Sequence, residues 1–203
     1  MGIKSIIFDL GGVIVRTENP EPRLRLAEEL GLTNESLSQL IFNSESAKNA
    51  TLGKLTTEDH WQAVRSALAL DPDQYQHVEN EFWGGDIVDM ELVNYLRSLR
   101  GQYKTGLLSN AWDDLRAMLF NEWKIADAFD DVVISAEVGL AKPDPNIYLL
   151  AAERLGVLPQ EAVFVDDFIE NVQGARQVGM QAVHFRAPQQ ALDELKMVLN
   201  TNH

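Results

Sequence analysis

The chain of 203 residues has no cysteine, which excludes disulfides, thiolate metal sites and cysteine nucleophiles and fits a reducing, cytoplasmic setting. It is also poor in positive charge. Seventeen lysines and arginines face 31 aspartates and glutamates, for a net charge of −14. That balance argues against non-specific nucleic-acid binding or attraction to an anionic membrane, and an anionic ligand would need a local cation. No apolar run approaches the roughly 20 residues of a membrane span, and Met1 to Lys4 lack the charged and apolar regions of a secretory signal. Repeats, low-complexity tracts and long flexible linkers are missing as well. The four histidines, His60, His77, His184 and His203, have no metal-ligand spacing and read as surface or packing residues. What is present is an apolar fraction of 45% and a charged fraction of 24%, ordinary for a globular chain long enough for one core plus a smaller inserted unit.

Five short apolar, mostly β-branched runs read as buried strands: Ser5 to Asp9, Thr105 to Ser109, Val132 to Ser135, Ala162 to Asp166 and Gln181 to Phe185. Helical patterns separate the later ones. Glu91 to Arg100 places Leu92, Val93, Leu96 and Leu99 on one face, and Asp144-Pro145 opens a helix that Gly156 closes. A further helix spans Ile169 to Gln177, ended by Gly179. Alternation with short connections predicts an α/β fold, a doubly wound, Rossmann-like parallel sheet with right-handed crossovers and strand order 3-2-1-4-5. The roughly 90 residues between the first two strands far exceed one crossover. Apolar spacing at Leu24 to Leu30, Glu35 to Ile41, Glu58 to Leu70 and Gln74 to Trp83 predicts a helical insertion there. The expected division is 1–16 and 87–203 for the core and 17–86 for the insertion.

Two strands end in acid. Asp9 follows Ile6, Ile7 and Phe8, and the doublet Asp166-Asp167 follows Ala162 to Val165. If these strands are neighbours, their carboxylates meet at one sheet edge, where two unit charges about 4 Å apart repel by roughly 4 kcal/mol at an effective dielectric of 20. An oxygen-ligated Mg²⁺ would compensate them. Gly11 and Gly12 let the chain turn sharply after Asp9. Ser109 and Asn110 end the second strand with a hydroxyl and an amide, and Lys142 directly precedes Pro143-Asp144-Pro145, whose two prolines would stiffen the backbone holding it. Taken singly these read as turn residues and a surface charge; together they fall at the carboxyl ends of strands, where open α/β sheets bind ligands. Ser109 has no histidine base near it in sequence.

In that order the residues resemble the four motifs of the haloacid dehalogenase superfamily: an aspartate nucleophile, a Ser or Thr, a Lys and an acidic pair. The resemblance covers nearly the whole chain. Positions 109 to 114 (Ser-Asn-Ala-Trp-Asp-Asp), 139 to 148 and 164 to 172 most resemble the branch containing the N-terminal phosphatase domain of soluble epoxide hydrolase. That branch carries a helical cap after the first motif, and Gly53, Leu55, Thr56 and Trp61 are similar to its cap sequence. The resemblance implies a phosphatase acting on a small phosphorylated metabolite, with Asp9 attacking phosphorus to give an aspartyl-phosphate. It also implies Mg²⁺ held by Asp9, the backbone carbonyl of Gly11 and one of Asp166 or Asp167, with Asp167 preferred. Lys142, Ser109 and Asn110 would hold the phosphoryl oxygens, and Asn171 would orient the acidic pair or Lys142.

One departure stands out: phosphatases of the family place a second aspartate two positions after the nucleophile, and this chain has Gly11 there. That aspartate serves as general acid and base, worth ~10²–10⁴ in rate. Glu18, Asp113 and Asp114 are the alternative carboxylates. The missing acid keeps open a phospho-ligand binding or interaction module without turnover. A 2-haloacid dehalogenase is disfavoured, because an acidic pair without a metal would hinder attack by Asp9. Phe42, Trp61, Tyr75, Phe82 and Trp83 either line a pocket or form the core of the insertion. Trp112 is the candidate for a substrate-facing aromatic, with core packing the equal alternative.

Overall fold

The computed structural model describes residues 2–200; His203 lies outside them. Five parallel strands form the central sheet: β1 (Ser5–Phe8), β4 (Lys104–Ser109), β5 (Asp131–Ile134), β6 (Ala162–Asp166) and β7 (Gln181–His184). Their order is β5-β4-β1-β6-β7, the expected 3-2-1-4-5 when the five are counted along the chain. Both faces are covered, so alternate residues of each strand feed opposite cores. Ile6, Phe8, Leu107, Val163 and Val165 pack with α6 (Met90–Leu99) and α11 (Pro188–Asn200). Ile7, Leu108 and Phe164 pack on the other side with α9 (Pro145–Leu155) and Ala175 of α10 (Ile169–Gln177). The punctuation acts as the sequence suggests: the Asp144 side chain accepts from the Asn146 amide at 2.8 Å, and Gly156 closes α9 in the left-handed region at φ 70°.

A second pair of strands, β2 (Val15–Thr17) and β3 (Asp86–Val88), runs antiparallel and marks where the chain leaves and rejoins the sheet region. Thr17 is opposite Asp86 and donates its hydroxyl to that carboxylate at 2.5 Å. Between them lie α1 (Glu21–Glu29), α2 (Asn34–Asn43), α3 (Glu45–Thr51), α4 (Thr57–Ala67) and α5 (Tyr75–Trp83). These helices have an apolar cluster of their own, with Leu26, Leu37, Ile41, Trp61, Val64, Val78 and Phe82 buried. Within it His60 is fully buried, its Nε2 3.0 Å from the Ile41 carbonyl and its Nδ1 2.9 Å from the Ser46 hydroxyl. It is a packing residue.

Several boundaries differ from the sequence expectation. The third sheet strand stops at Ile134, because Ser135 begins the short helix α8 (Ser135–Val138) and turns its hydroxyl to the backbone of Ala111. The helix expected to reach Leu70 stops at Ala67, and Ala69 sits at φ 51°. The unexpected elements are α3, the β2–β3 pair, α11, and a short stretch after β4 comprising α7 (Leu115–Ala117) and a π-helical turn at Met118–Glu122.

The helical unit meets the sheet domain through tight backbone contacts. Gly53, between α3 and α4, sits at φ 68°, and a Cβ built there would lie 2.0 Å from the Ala136 carbonyl oxygen. Asp113, on the loop after β4, accepts from the Thr57 amide at 2.9 Å and from its hydroxyl at 2.6 Å, and so helps to cap α4. Replacing Gly53 with Ala imposes left-handed strain costing about 1–3 kcal/mol on top of the clash. A lower urea midpoint with an unchanged m-value is expected; wild-type stability would contradict this packing.

Candidate active site

The site grows from register. Phe8 pairs with Leu107 on one side and Val165 on the other, so the next residue, Asp9, is level with Leu108 and Asp166 at the carboxyl edge. Ser109 lies one step further along β4 and is buried there. Asp9 is 6% exposed, Lys142 5% and Asp166 0%, so three ionisable groups share a desolvated pocket. Lys142 joins them: its Nζ is 2.7 Å from Asp9 Oδ1 and 2.6 Å from Asp166 Oδ2. Lys142, which the sequence leaves open as a site residue or a solvated charge, is a buried ammonium between two carboxylates.

The two carboxylates of the doublet have different surroundings. Asp166 is saturated: Oδ2 takes Lys142, Oδ1 accepts from the Phe168 amide at 2.7 Å, and the Asn171 carboxamide donates to both oxygens at 3.1 Å. Asn171 is held in turn, because Tyr148 donates its hydroxyl to the Asn171 carbonyl at 2.9 Å. Asp167 is the opposite case, since its buried Oδ1 has no hydrogen-bond partner in the protein. Such orphaned buried acceptors are costly unless a ligand satisfies them. Oxygens of Asp9, Asp166 and Asp167 all lie within 4.8 Å of one another. An all-oxygen, acidic donor set with one orphaned oxygen fits a hard divalent cation such as Mg²⁺.

Electrostatics agree with that placement. Burial pushes the Asp9 carboxyl up to about 7, with Lys142 pulling it down and Asp166 adding to the rise. Burial works against the Lys142 ammonium, yet the two facing carboxylates outweigh it and hold its pKa above the usual lysine value. Asp167 is raised by burial and by repulsion from Asp166. Gly12, at φ 78°, is required here in a second way: a Cβ on it would fall 2.2 Å from Asp167 Oδ2.

Other residues singled out in the sequence are placed differently. The Asn110 side chain is engaged with the Lys142 main chain and is not free to meet a phosphoryl group. Trp112 leaves the same loop and packs into the aromatic cluster of the helical unit, 4.5 Å from His60, 6.3 Å from Trp83 and 6.5 Å from Trp61 between ring centroids. Phe42 and Trp83 stay partly exposed at the margin of that cluster. Of the possible replacements for an acid at position 11, Asp113 is committed to α4, and Glu18 is exposed and accepts from Arg16 Nε at 2.9 Å. His184, read as a packing residue, has its Nε2 2.9 Å from the Asp167 carbonyl. Tyr148 carries no signal in the sequence beyond its place in the motif around Lys142.

Comparison with known proteins follows the same line. The family model described as haloacid dehalogenase-like hydrolase matches residues 3–179. A sesquiterpene phosphatase from Aspergillus oryzae is 31% identical over 188 residues, covering 89% of each chain. Bifunctional epoxide hydrolase 2 of Rattus norvegicus is 34% identical over 99% of this chain, which spans only 40% of that relative's length. Among solved structures, an enzyme from Bacteroides thetaiotaomicron in complex with magnesium and inorganic phosphate superposes with a TM-score of 0.76 at 24% identity, covering 92% of this chain and 96% of its own.

The orphaned Asp167 oxygen gives a direct test of cation binding. At about 100 times its Kd, Mg²⁺ should stabilise the fold by about 2.7 kcal/mol, a rise in Tm of roughly 5–10 °C for a chain this size. Asp167→Asn should abolish most of that rise, and a full shift in the variant would contradict the assignment.

Proposed function

The chain belongs to the haloacid dehalogenase-like hydrolases, and from that premise we propose that it is a Mg²⁺-dependent phosphomonoesterase acting on a small phosphorylated substrate. In this reading residues 1–16 and 87–203 form the catalytic core and 17–86 the cap over its carboxyl edge. The carrying observation is the buried cluster in which Lys142 bridges Asp9 and Asp166 while Asp167 presents an unpartnered oxygen. The names of the relatives support it: one is a phosphatase, and the Bacteroides enzyme holds magnesium and phosphate.

Asp9 Oδ attacks phosphorus as the bond to the leaving oxygen breaks, giving an aspartyl-phosphate and an alkoxide that takes its proton from solvent water to leave as the alcohol; water then attacks phosphorus, giving up a proton to solvent, releasing phosphate and restoring the carboxylate. Lys142 serves both halves, pairing with Asp9 in the resting site and offering its ammonium to the phosphoryl oxygens as charge moves onto them. Ser109 and the main-chain amide of Asn110 supply further donors. Asp166, tied to Lys142, the Phe168 amide and Asn171, fixes the ammonium rather than leaving it mobile. A Mg²⁺ held by Asp9, Asp167 and the Gly11 carbonyl, with Asp166 completing the acidic trio, would neutralise the clustered carboxylates and the incoming phosphoryl charge. A dehalogenase working without a metal would leave that third carboxylate's charge uncompensated against attack by Asp9.

Hydrolysis of p-nitrophenyl phosphate and a panel of phosphomonoesters, with Mg²⁺ and with EDTA, tests the reading. Mg²⁺-dependent phosphate release that Asp9→Asn abolishes is expected. Binding of phosphate compounds without release, from folded protein, would instead favour the ligand-binding module. Position 11 offers a gain-of-function test. A Cβ there has no neighbour within 4 Å, and the residue lies outside the left-handed region. Gly11→Asp should therefore raise kcat toward the ~10²–10⁴ typical of general acid–base help. An unchanged or lower kcat in the folded variant would count against Gly11 as the weak point of the site.

A further inference from the structure

Lys142 has two problems that its side-chain partners do not solve. Its backbone lies in the irregular stretch between α8 and α9, where no ladder satisfies its N–H and C=O, and the following Pro143 has no N–H to continue one. Both groups nevertheless have partners. The Lys142 amide donates to Asn110 Oδ1 at 2.8 Å, and Asn110 Nδ2 donates to the Lys142 carbonyl at 2.9 Å. One carboxamide, fixed by its place directly after Ser109 of β4, therefore supplies the acceptor and donor that a neighbouring strand would otherwise provide.

We propose that Asn110 is a positioning residue: its side chain clasps the Lys142 main chain and so fixes where the ammonium stands between Asp9 and Asp166. The proposal rests on the phosphatase reading for its kinetic consequence only. A lysine side chain has four rotatable carbons, so the carboxylates alone can hold the charge while the backbone drifts. With the backbone clasped as well, the ammonium is held from both ends. A displacement of about 1 Å in a reacting group can cost on the order of 10²-fold in rate. Asn110→Ala removes both hydrogen bonds. Asn110→Asp keeps the acceptor for the Lys142 amide but sets a carboxylate oxygen against the Lys142 carbonyl.

Two measurements test the clasp. In steady-state kinetics, Asn110→Ala and Asn110→Asp should each lower kcat by roughly 10–10²-fold with KM nearly unchanged. Asn110→Ala placed on Lys142→Met should cost nothing further, because the two act as one unit. Losses that multiply, or a KM that rises at constant kcat, would show that Asn110 meets substrate directly and overturn the proposal. The second measurement needs no turnover: acetylation of each lysine, followed by mass spectrometry. Lys142 should resist reagent in the native protein and react about tenfold faster or more in folded Asn110→Ala, as local opening becomes easier, while the other lysines keep their rates. An unchanged Lys142 rate would overturn the clasp. Should the native chain release no phosphate from any ester, the phosphatase reading fails and the labelling result alone decides the clasp.

Discussion

Everything at the carboxyl edge of this sheet depends on one buried ammonium. Lys142 is almost wholly removed from water and lies within 2.7 Å of two carboxylates that are themselves buried. Desolvating such groups costs several kcal/mol per ion, and mutual attraction offsets this only when the remaining donors and acceptors are satisfied. The fold meets that condition on the Asp166 side with the Phe168 amide and Asn171, which Tyr148 holds in place. On the Lys142 side it uses Asn110. Asp167 keeps a buried Oδ1 with no partner in the protein, an oxygen that a hard cation would satisfy.

The same constraint explains why these residues come from distant parts of the chain. A parallel sheet aligns strand ends irrespective of sequence separation, and β1 between β4 and β6 brings Asp9 level with Asp166, with Ser109 one residue further along β4. The connections between strands place Lys142, in the irregular stretch before α9, and Asn171, in the first turn of α10, at the same edge. The helical unit is joined to that edge by the Gly53–Ala136 approach, the Asp113 contact with Thr57, and Trp112, which leaves the loop after β4 to pack among rings of the helical unit. The last two contacts tie the helical unit to the loop that begins at Asn110, directly after Ser109 of β4.

Much of this was legible in the sequence because it rests on local rules. Buried strands appear as short β-branched runs, Asp144-Pro145 and Gly156 bracket α9, and acids at two strand ends mark the charged edge. What escaped depends on tertiary contact. The α11 apolar positions Ala191, Leu195 and Leu199 carry a helical period, but the face they form is defined only by the sheet it packs on. The β2–β3 pair consists of three-residue strands too short to show alternation. At the site, residue types announced Asp9, Lys142 and Asp166, but not that Asp166 would be saturated while Asp167 kept a free oxygen. Nor could spacing show that the Asn110 carboxamide turns to a backbone 32 residues on.

The central claim is that Asp9, held against Lys142, is a nucleophile toward phosphorus. The most direct measurement is rapid acid quench during turnover of a phosphate ester, followed by peptide mass spectrometry. One phosphoryl group on the peptide containing Asp9, formed and lost at rates consistent with kcat and missing in Asp9→Asn, is the expected result. Turnover with the phosphoryl group on another residue would contradict the role given to Asp9 and the site built around it.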